Sequence, residues 1–288
     1  MNENDATVVA LMLESEPPTP RKTGNVSGPE IHPTAIVHPD AQIPESCSIG
    51  PFCTVAKDVK LGPDCRLISH VVIQNRVTTG TGNIFHPFSV IGGIPQDLKY
   101  KGENSELVIG NNNIIRESVT LNIGTTAGGN VTRIGNSNLI MAYVHIAHDS
   151  NVGNNVVVGN ACQIAGHVVI EDWATIGGVT GVSQFLRIGA HCYIGGCSGV
   201  DRDVPPFTFG RGPTGNFEIL GINLVGLRRR GFGKEEISAL QEVNRIFFKD
   251  KARDKDDTIA HLEKVLGSVG VVQEFIKFVR SSQKGIYR

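Results

Sequence analysis

Nine histidines are scattered over the 288 residues, and two of them stand beside an acid in the segment His145-Ile146-Ala147-His148-Asp149. Eighteen residues beyond His148 comes Gly166, followed at once by His167. A histidine near its ordinary pKa of about 6.5 accepts a hydroxyl proton at neutral pH. A neighbouring carboxylate fixes its tautomer and stabilises the imidazolium. A glycine N–H unshielded by a side chain stabilises a developing oxyanion. His148, Asp149 and Gly166 are therefore candidates for base-catalysed acyl transfer, in which a hydroxyl attacks a thioester and no serine or cysteine nucleophile is needed. Metal binding is the competing chemistry, because histidine is a common ligand.

This reading requires a fold that brings His148 and Gly166 into contact, and the sequence repeats with a spacing that divides theirs. Counting in sixes from Ile31 gives Val37, Ile43, Ile49, Val55, Leu61, Leu67, Ile73, Thr79, Phe85 and Ile91. The phase returns at Ile109, Ile115 and Leu121, and a second run continues without a miss from Ile134 to Val200. Six is a multiple of two but not of 3.6, so the repeat describes short strands with regular bends. Three six-residue sides close one coil of a parallel β-helix, and successive coils pair at about 4.8 Å. Gly166 is then expected to stack on His148, and His167 on Asp149. Gly commonly follows the aliphatic residue, as in Gly50, Gly62, Gly159, Gly177 and Gly195. This suits a corner with positive φ. Cys47, Cys53, Cys65, Cys162 and Cys192 fall four residues after a repeat aliphatic. They are expected as small core residues; Cys47 and Cys65 stack one coil apart, but no disulfide is expected.

Two segments leave the period, 92–107 and 124–133, and must protrude as loops. The first, with Gln96, Asp97 and Lys99, is the better candidate for binding, since loops on a rigid scaffold carry function. The second reads more as decoration. The domain layout is thus a β-helix over 29–204 and a helical C-terminal domain over 205–288, beginning after Pro205-Pro206. Helices are expected at Lys234 to Lys249, Asp256 to Leu266 and Val271 to Ser282. Residues 1–28 carry no period and are expected to form a disordered extension. From Arg228 onward Lys and Arg number fourteen against nine Asp and Glu. Such a run receives phosphates or an acidic protein, or is an ordinary solvated face.

Composition excludes other classes. The net charge of -1 argues against nucleic-acid binding. No apolar run approaches the roughly 20 residues of a membrane span. Aromatics make up only 6% of the chain, which suits a narrow core.

Several strings resemble one family closely: Ile31-His-Pro-Thr-Ala-Ile, Gln96-Asp-Leu-Lys-Tyr, Ile115-Arg-Glu-Ser-Val-Thr, Ala142 to Asp149, Ala165-Gly-His, Gly195-Gly-Cys-Ser-Gly-Val and Gly226-Leu-Arg-Arg-Arg-Gly-Phe. From Ile31 onward the sequence is similar to the UDP-N-acetylglucosamine O-acyltransferases that open lipid A synthesis. The resemblance implies a left-handed β-helix and a homotrimer with active sites between neighbouring chains. It also implies transfer of an (R)-3-hydroxyacyl group from acyl carrier protein to the 3-hydroxyl of UDP-N-acetylglucosamine, with no cofactor or metal. By position, His148 is then the base, Asp149 its partner and Gly166 the oxyanion donor. Gln96, Asp97, Lys99, His145, His167 and Gln184 line the substrate site. Asn223, Arg229 and Arg230 hold the nucleotide, and the small Gly196 limits acyl length, hinting at a long chain.

Asn122, Ser183 and Val225 depart from the bacterial pattern, where two histidines and an acid are usual. With the N-terminal segment, they look more like the mitochondrial plant homologues, although residues 1–28 make a poor presequence; the bacterial cytoplasm is the alternative. Zinc-binding β-helix carbonic anhydrases resemble the fold, but their two nearby ligands are typically five residues apart, not three. A related amino-sugar N-acyltransferase carries an extra N-terminal domain, and the segment 1–28 is too short to supply one. A non-catalytic scaffold is the remaining alternative.

Overall fold

The computed structural model describes residues 28–250, 252 and 254–288. The expected disordered extension falls outside them, apart from Gly28. The six-residue period becomes strands mostly two residues long, such as Ser48–Ile49, Thr54–Val55 and His145–Ile146. These assemble into three sheets of eleven, nine and six strands. All pairings within the helical stack are parallel, and the coil is left-handed. Its register follows the repeat. In the first sheet Ile49 pairs with Leu67, Leu67 with Phe85, Phe85 with Ile115, and Ile115 with Ile140. The pairing holds across both insertions, so each insertion loops outward without breaking the column beneath it.

The repeat aliphatics are buried from Ile49 to Val200 and form one continuous core. The five period-matched cysteines lie in it, and all six cysteines are free. Cys47 and Cys65 donate their thiols to the carbonyls of Gly62 and Gly80.

Among the glycines that follow the aliphatics, positive φ falls on Gly92 but not on Gly50, Gly62, Gly159, Gly177 or Gly195. It falls mostly three residues after a repeat aliphatic, on Phe52, Asp64, His70, Phe88, Tyr143, Asp149, His167, Trp173, Phe185 and His191, among others. The glycines have a different cause, which is close approach between coils. A Cβ on Gly177 would lie 2.4 Å from the Gly196 nitrogen. Left-handed backbone costs a non-glycine residue about 1–2 kcal/mol, and the coil-to-coil hydrogen bonds on both sides of each corner offset it. His167 N–H, for example, donates to the His148 carbonyl.

Because the left-handed residues recur once per coil at each corner, their side chains stack. Trp173, His191 and Phe207 form one parallel column, with ring centroids 6.2 and 5.7 Å apart. Burial pushes the His191 imidazole down to about 4; the nearby Arg230 adds to the effect and Asp172 opposes it.

The C-terminal domain is not wholly helical as expected. Residues 205–222 carry an antiparallel hairpin, Thr208–Arg211 with Glu218–Ile222, whose first strand extends the first sheet by pairing Phe209 with Tyr193. A short helix Leu224–Arg229 follows, which the apolar pattern did not reveal. The helix starting at Lys234 keeps α geometry only to Val243 and continues as a π-helical turn over Asn244–Lys249. Helices Lys255–Leu266 and Gly270–Ser281 complete the domain. Its core contains the rings of Phe247, Phe248 and Phe275. The chain end ties it to the coils: Tyr287 donates its hydroxyl to the Asp201 carboxylate at 2.6 Å and accepts from the Asp201 N–H. Among the described residues no helix is long and apolar enough to cross a membrane.

Two outcomes follow for stability. Gly177→Ala is expected to cost about 1–3 kcal/mol, the usual range for overpacking, in urea unfolding. Gly221→Ala, where an added Cβ meets nothing within 4 Å, should stay within about 0.5 kcal/mol. Equal costs would refute the close-approach account. Since the folded pKa of His191 lies below its unfolded value, the unfolded chain takes up that proton first as the pH falls. Stability contributed by neutral His191 is therefore lost as pH drops from about 6.5 towards about 4. His191→Phe should flatten this part of the stability–pH curve, and an unchanged slope would refute the assignment.

Candidate active site

The site grows from one corner of one coil. Ile146 points into the core, and three residues later Asp149 takes the left-handed conformation with φ of 61°. Between them the chain turns out of the second sheet, leaving His148 at the rim with only 7% of its surface exposed. Its Nδ1 lies 2.8 Å from Asp149 Oδ2. A carboxylate accepts, so Nδ1 carries the proton and Nε2 keeps its lone pair. Asp149's side chain is fully buried.

The next coil supplies Gly166. Strand pairing of His145 with Gln163 and Ile146 with Ile164 carries Gly166 onto His148. A Cβ there would lie 2.7 Å from His148 Cε1 and 2.9 Å from Nε2. Only glycine leaves the imidazole edge open. The Gly166 N–H finds no acceptor among the described residues, so it is available to an oxyanion beside that edge. His167 follows, with its Nε2 3.7 Å from Asp149 Oδ2. Its ring stacks on Phe185 at 4.4 Å and meets His148 edge-on at 5.2 Å.

The flanking histidines are held neutral. Burial lowers the His145 pKa, and His148 lowers it further. Burial also lowers His167, with Asp149 and Asp97 opposing and His148 and Lys99 assisting. Both therefore act as neutral hydrogen-bonding groups near pH 7. Thr120, one coil below, sets its Oγ1 2.7 Å from His145 Nδ1 and fixes that ring.

A cavity of about 400 Å³ opens in front of this corner, lined by Gln96, His145, His148, Gly166, Ser183 and Gln184 among others. Asp97 and Lys99 influence His167 electrostatically, so the 94–105 loop hangs over the site. Asn122 anchors that loop by donating Nδ2 to the Ile94 carbonyl at 3.1 Å. Both insertions are shorter than the broken period suggests. Gly92, Gly93, Glu106 and Leu107 belong to strands, as do Val131 to Arg133.

The second insertion is not decoration. Thr125 donates its backbone N–H to Asp149 Oδ1 at 2.7 Å and its hydroxyl to Oδ2 at 2.6 Å. Asp149's own N–H donates to Thr132 Oγ1. Thr125 and Asp149 are not related by the one-coil spacing that joins His148 to Gly166, and nothing in the sequence pattern marks their contact. The ligand atoms of His148, Asp149 and His167 lie within 4.8 Å of one another, close enough for a metal. Hydrogen bonds from Thr125 and His148 already occupy both carboxylate oxygens, which favours a proton relay.

The predicted nucleotide residues lie elsewhere on the chain. Asn223, Arg229 and Arg230 line a cavity of about 710 Å³ on the first sheet, with Leu139, Trp173 and Tyr193 among its other walls. Asn223 caps helix Leu224–Arg229 through Gly226 N–H and donates to the His191 carbonyl. Arg230 lies over the Trp173 ring at 5.3 Å. Val225 is exposed in the same cavity. Gly196 sits at the corner between first and second sheets, outside both cavities. Elsewhere in the basic C-terminal stretch, Arg245 and Arg280 pair with Glu242 and Glu263, so part of it is an ordinary solvated face.

Comparison with known proteins agrees with this architecture. Residues 203–287 match the family described as "Udp N-acetylglucosamine O-acyltransferase; Domain 2", and residues 132–166 match "Bacterial transferase hexapeptide (six repeats)". A protein of Thermodesulfovibrio yellowstonii named acyl-[acyl-carrier-protein]--UDP-N-acetylglucosamine O-acyltransferase is 46% identical over 259 residues, covering 90% of this chain and 99% of that one. A protein of Burkholderia lata with the same name is 46% identical over 261 residues, with the same shares of both chains covered. The solved UDP-N-acetylglucosamine acyltransferase of Francisella novicida superposes with a TM-score of 0.86 at 38% identity, over 90% of this chain and 94% of that one. That of Arabidopsis gives 0.78 at 35%, over 90% and 100%. With the His148–Asp149 relay and its Gly166 neighbour set in a left-handed hexapeptide helix, the chain belongs to the UDP-N-acetylglucosamine O-acyltransferase family.

Proposed function

We infer that this chain moves an (R)-3-hydroxyacyl group from acyl carrier protein to the 3-hydroxyl of UDP-N-acetylglucosamine, the first step of lipid A biosynthesis. The observation that carries the reading is His148, protonated at Nδ1 by its contact with buried Asp149 and open at Nε2 beside Gly166. Nε2 takes the proton of the sugar 3-hydroxyl as its oxygen attacks the thioester carbonyl. The new C–O bond forms, and the carbonyl electrons move to the oxygen facing the Gly166 N–H. Collapse of that intermediate expels the carrier thiolate, which recovers the proton from His148. Asp149 stabilises the imidazolium in between.

Gln96, Asp97, Lys99, His145, His167 and Gln184 position the acceptor and the acyl chain around this centre. Asn223, Arg229 and Arg230 hold the nucleotide, the arginines through its phosphates. These groups occupy a different face of the same chain from His148, which supports a homotrimer. A second copy laying its first sheet against the second sheet of its neighbour brings the two halves together. The edge shared by those sheets carries exposed Phe52, Phe88, Tyr143 and Val179, an apolar line suited to burial at the three-fold axis. Gly196 lies on that edge and enters the cleft only with the second copy in place, where its lack of a side chain leaves room for a long acyl chain. We place the protein in the bacterial cytoplasm, because the proteins of Thermodesulfovibrio yellowstonii and Burkholderia lata that it matches at 46% identity over 90% of its length are bacterial. Asn122, Ser183 and Val225 are the features that speak for a mitochondrial homologue.

The test is incubation with UDP-N-acetylglucosamine and 3-hydroxyacyl carrier proteins of several lengths, with products read by mass spectrometry. His148→Ala should lower the rate by roughly 10²–10⁴-fold, the usual worth of a general base. A variant as fast as the parent would overturn the base, and no product at any length would overturn the substrates.

A further inference from the structure

We propose that Thr125 is a positioning residue for the proton relay, holding the Asp149 carboxylate in the plane and charge balance that His148 requires. The proposal rests on His148 being the base.

An aspartate carboxyl turns freely about its last torsion, whose wells are broad. Here one residue grips both oxygens. Thr125 N–H donates to Oδ1 at 2.7 Å, while its hydroxyl donates to Oδ2 at 2.6 Å. Oδ2 is also the atom that receives His148 Nδ1–H at 2.8 Å. The hydroxyl thus shares the relay oxygen with the base and draws charge from it. Thr125 is itself fixed, because its carbonyl accepts from the N–H groups of Gly128 and Asn130. It is 4% exposed. The turn Thr126–Gly128 lies flat on the carboxylate, and a Cβ on Gly128 would fall 2.0 Å from Asp149 Cγ.

The same insertion is tied to the substrate loop. Gly124 N–H donates to the Glu106 carbonyl, and Glu106 N–H donates to the Asn130 carbonyl. Glu106 opens the strand that ends the 94–105 loop carrying Gln96. The element that orients the base is therefore anchored where the acceptor loop returns to the helix.

Thr125→Val keeps the buried shape and removes the hydroxyl; Thr125→Ser keeps the hydroxyl. With one donor gone, Oδ2 carries more charge and binds the imidazolium of His148 more strongly. The acid limb of the kcat/KM profile is then expected to move to higher pH in Thr125→Val. Its kcat should fall roughly 10- to 100-fold, the worth of one charge-assisted hydrogen bond, with KM for the nucleotide sugar unchanged. Thr125→Ser should restore both the rate and the limb. The proposal is overturned if Thr125→Val keeps the parent rate and limb, or if it lowers only the melting temperature. His148→Ala is assayed beside it. Parent-like activity there sinks the base assignment, whereas an inactive His148→Ala with a silent Thr125→Val sinks only the positioning role.

Discussion

Everything in this structure depends on backbone pairing between coils at a fixed offset, the one that sets Ser48 against Arg66 and His145 against Gln163. Each strand is only two residues long at most positions, so no single strand could hold itself together. Stability comes from columns, in which every short strand pairs above and below and the aliphatic residues stack into one core. That pairing also determines which residues can occupy each corner. The chain must turn within three or four residues, which forces left-handed backbone on side chains as large as Trp173 and Phe185. It excludes a Cβ wherever one coil's backbone runs against the next, as at Gly177.

The proposed catalytic arrangement is a by-product of the same translation. His148 and Gly166 occupy one corner in successive coils, and Asp149 and His167 the next position along, so groups far apart in sequence come to lie one coil spacing apart. The scaffold supplies this geometry without a hinge. What it does not supply is a dry surrounding for the carboxylate. A bare corner would leave Asp149 in solvent, where a surface ion pair contributes little. The insertion Gly124–Asn130 covers it, and two hydrogen bonds from Thr125 replace the water it loses. The proposed relay then lies in a low-dielectric pocket where electrostatic interactions are strong.

The columns were legible because translation by one coil is a property of the backbone and leaves a trace at every aliphatic position. Buried Cys47, Cys65 and Cys162 could be read for the same reason, as could the stacking of Gly166 on His148. The glycines were misread: their frequency after the aliphatic was visible, but positive φ and steric exclusion leave the same mark in sequence. The role of 124–133 was illegible, because a loop that returns to its own coil obeys no period. Thr125 in a run of Thr and Gly looks like filler. The hairpin of Thr208–Arg211 and Glu218–Ile222 was missed within the segment expected to be helical, because Gly210, Gly212 and Gly215 interrupt any strand alternation. In the C-terminal helices, apolar spacing located the segments but gave no warning of the π-helical turn at Asn244.

The separation of the two cavities has a physical reason. The second sheet near His148 must stay open, and small residues such as Ala147, Ala165 and Gly181 keep its outer face low. The proposed nucleotide site needs cations and an aromatic wall, and these large groups cannot be placed on that face without filling it. They are carried instead on the first sheet, where the hairpin and the helix Leu224–Arg229 cap the stack. There Arg230 rests on Trp173, and Asn223 is fixed by the carbonyl of His191. A triangular coil presents these two faces on either side of one edge, turned away from each other, and in the proposed homotrimer a neighbour closes the cleft between them. In the homotrimer proposed above, dividing the site between faces makes assembly part of catalysis: the rigid repeat positions the proposed base, and apposition of identical coils sets its distance from the proposed nucleotide site.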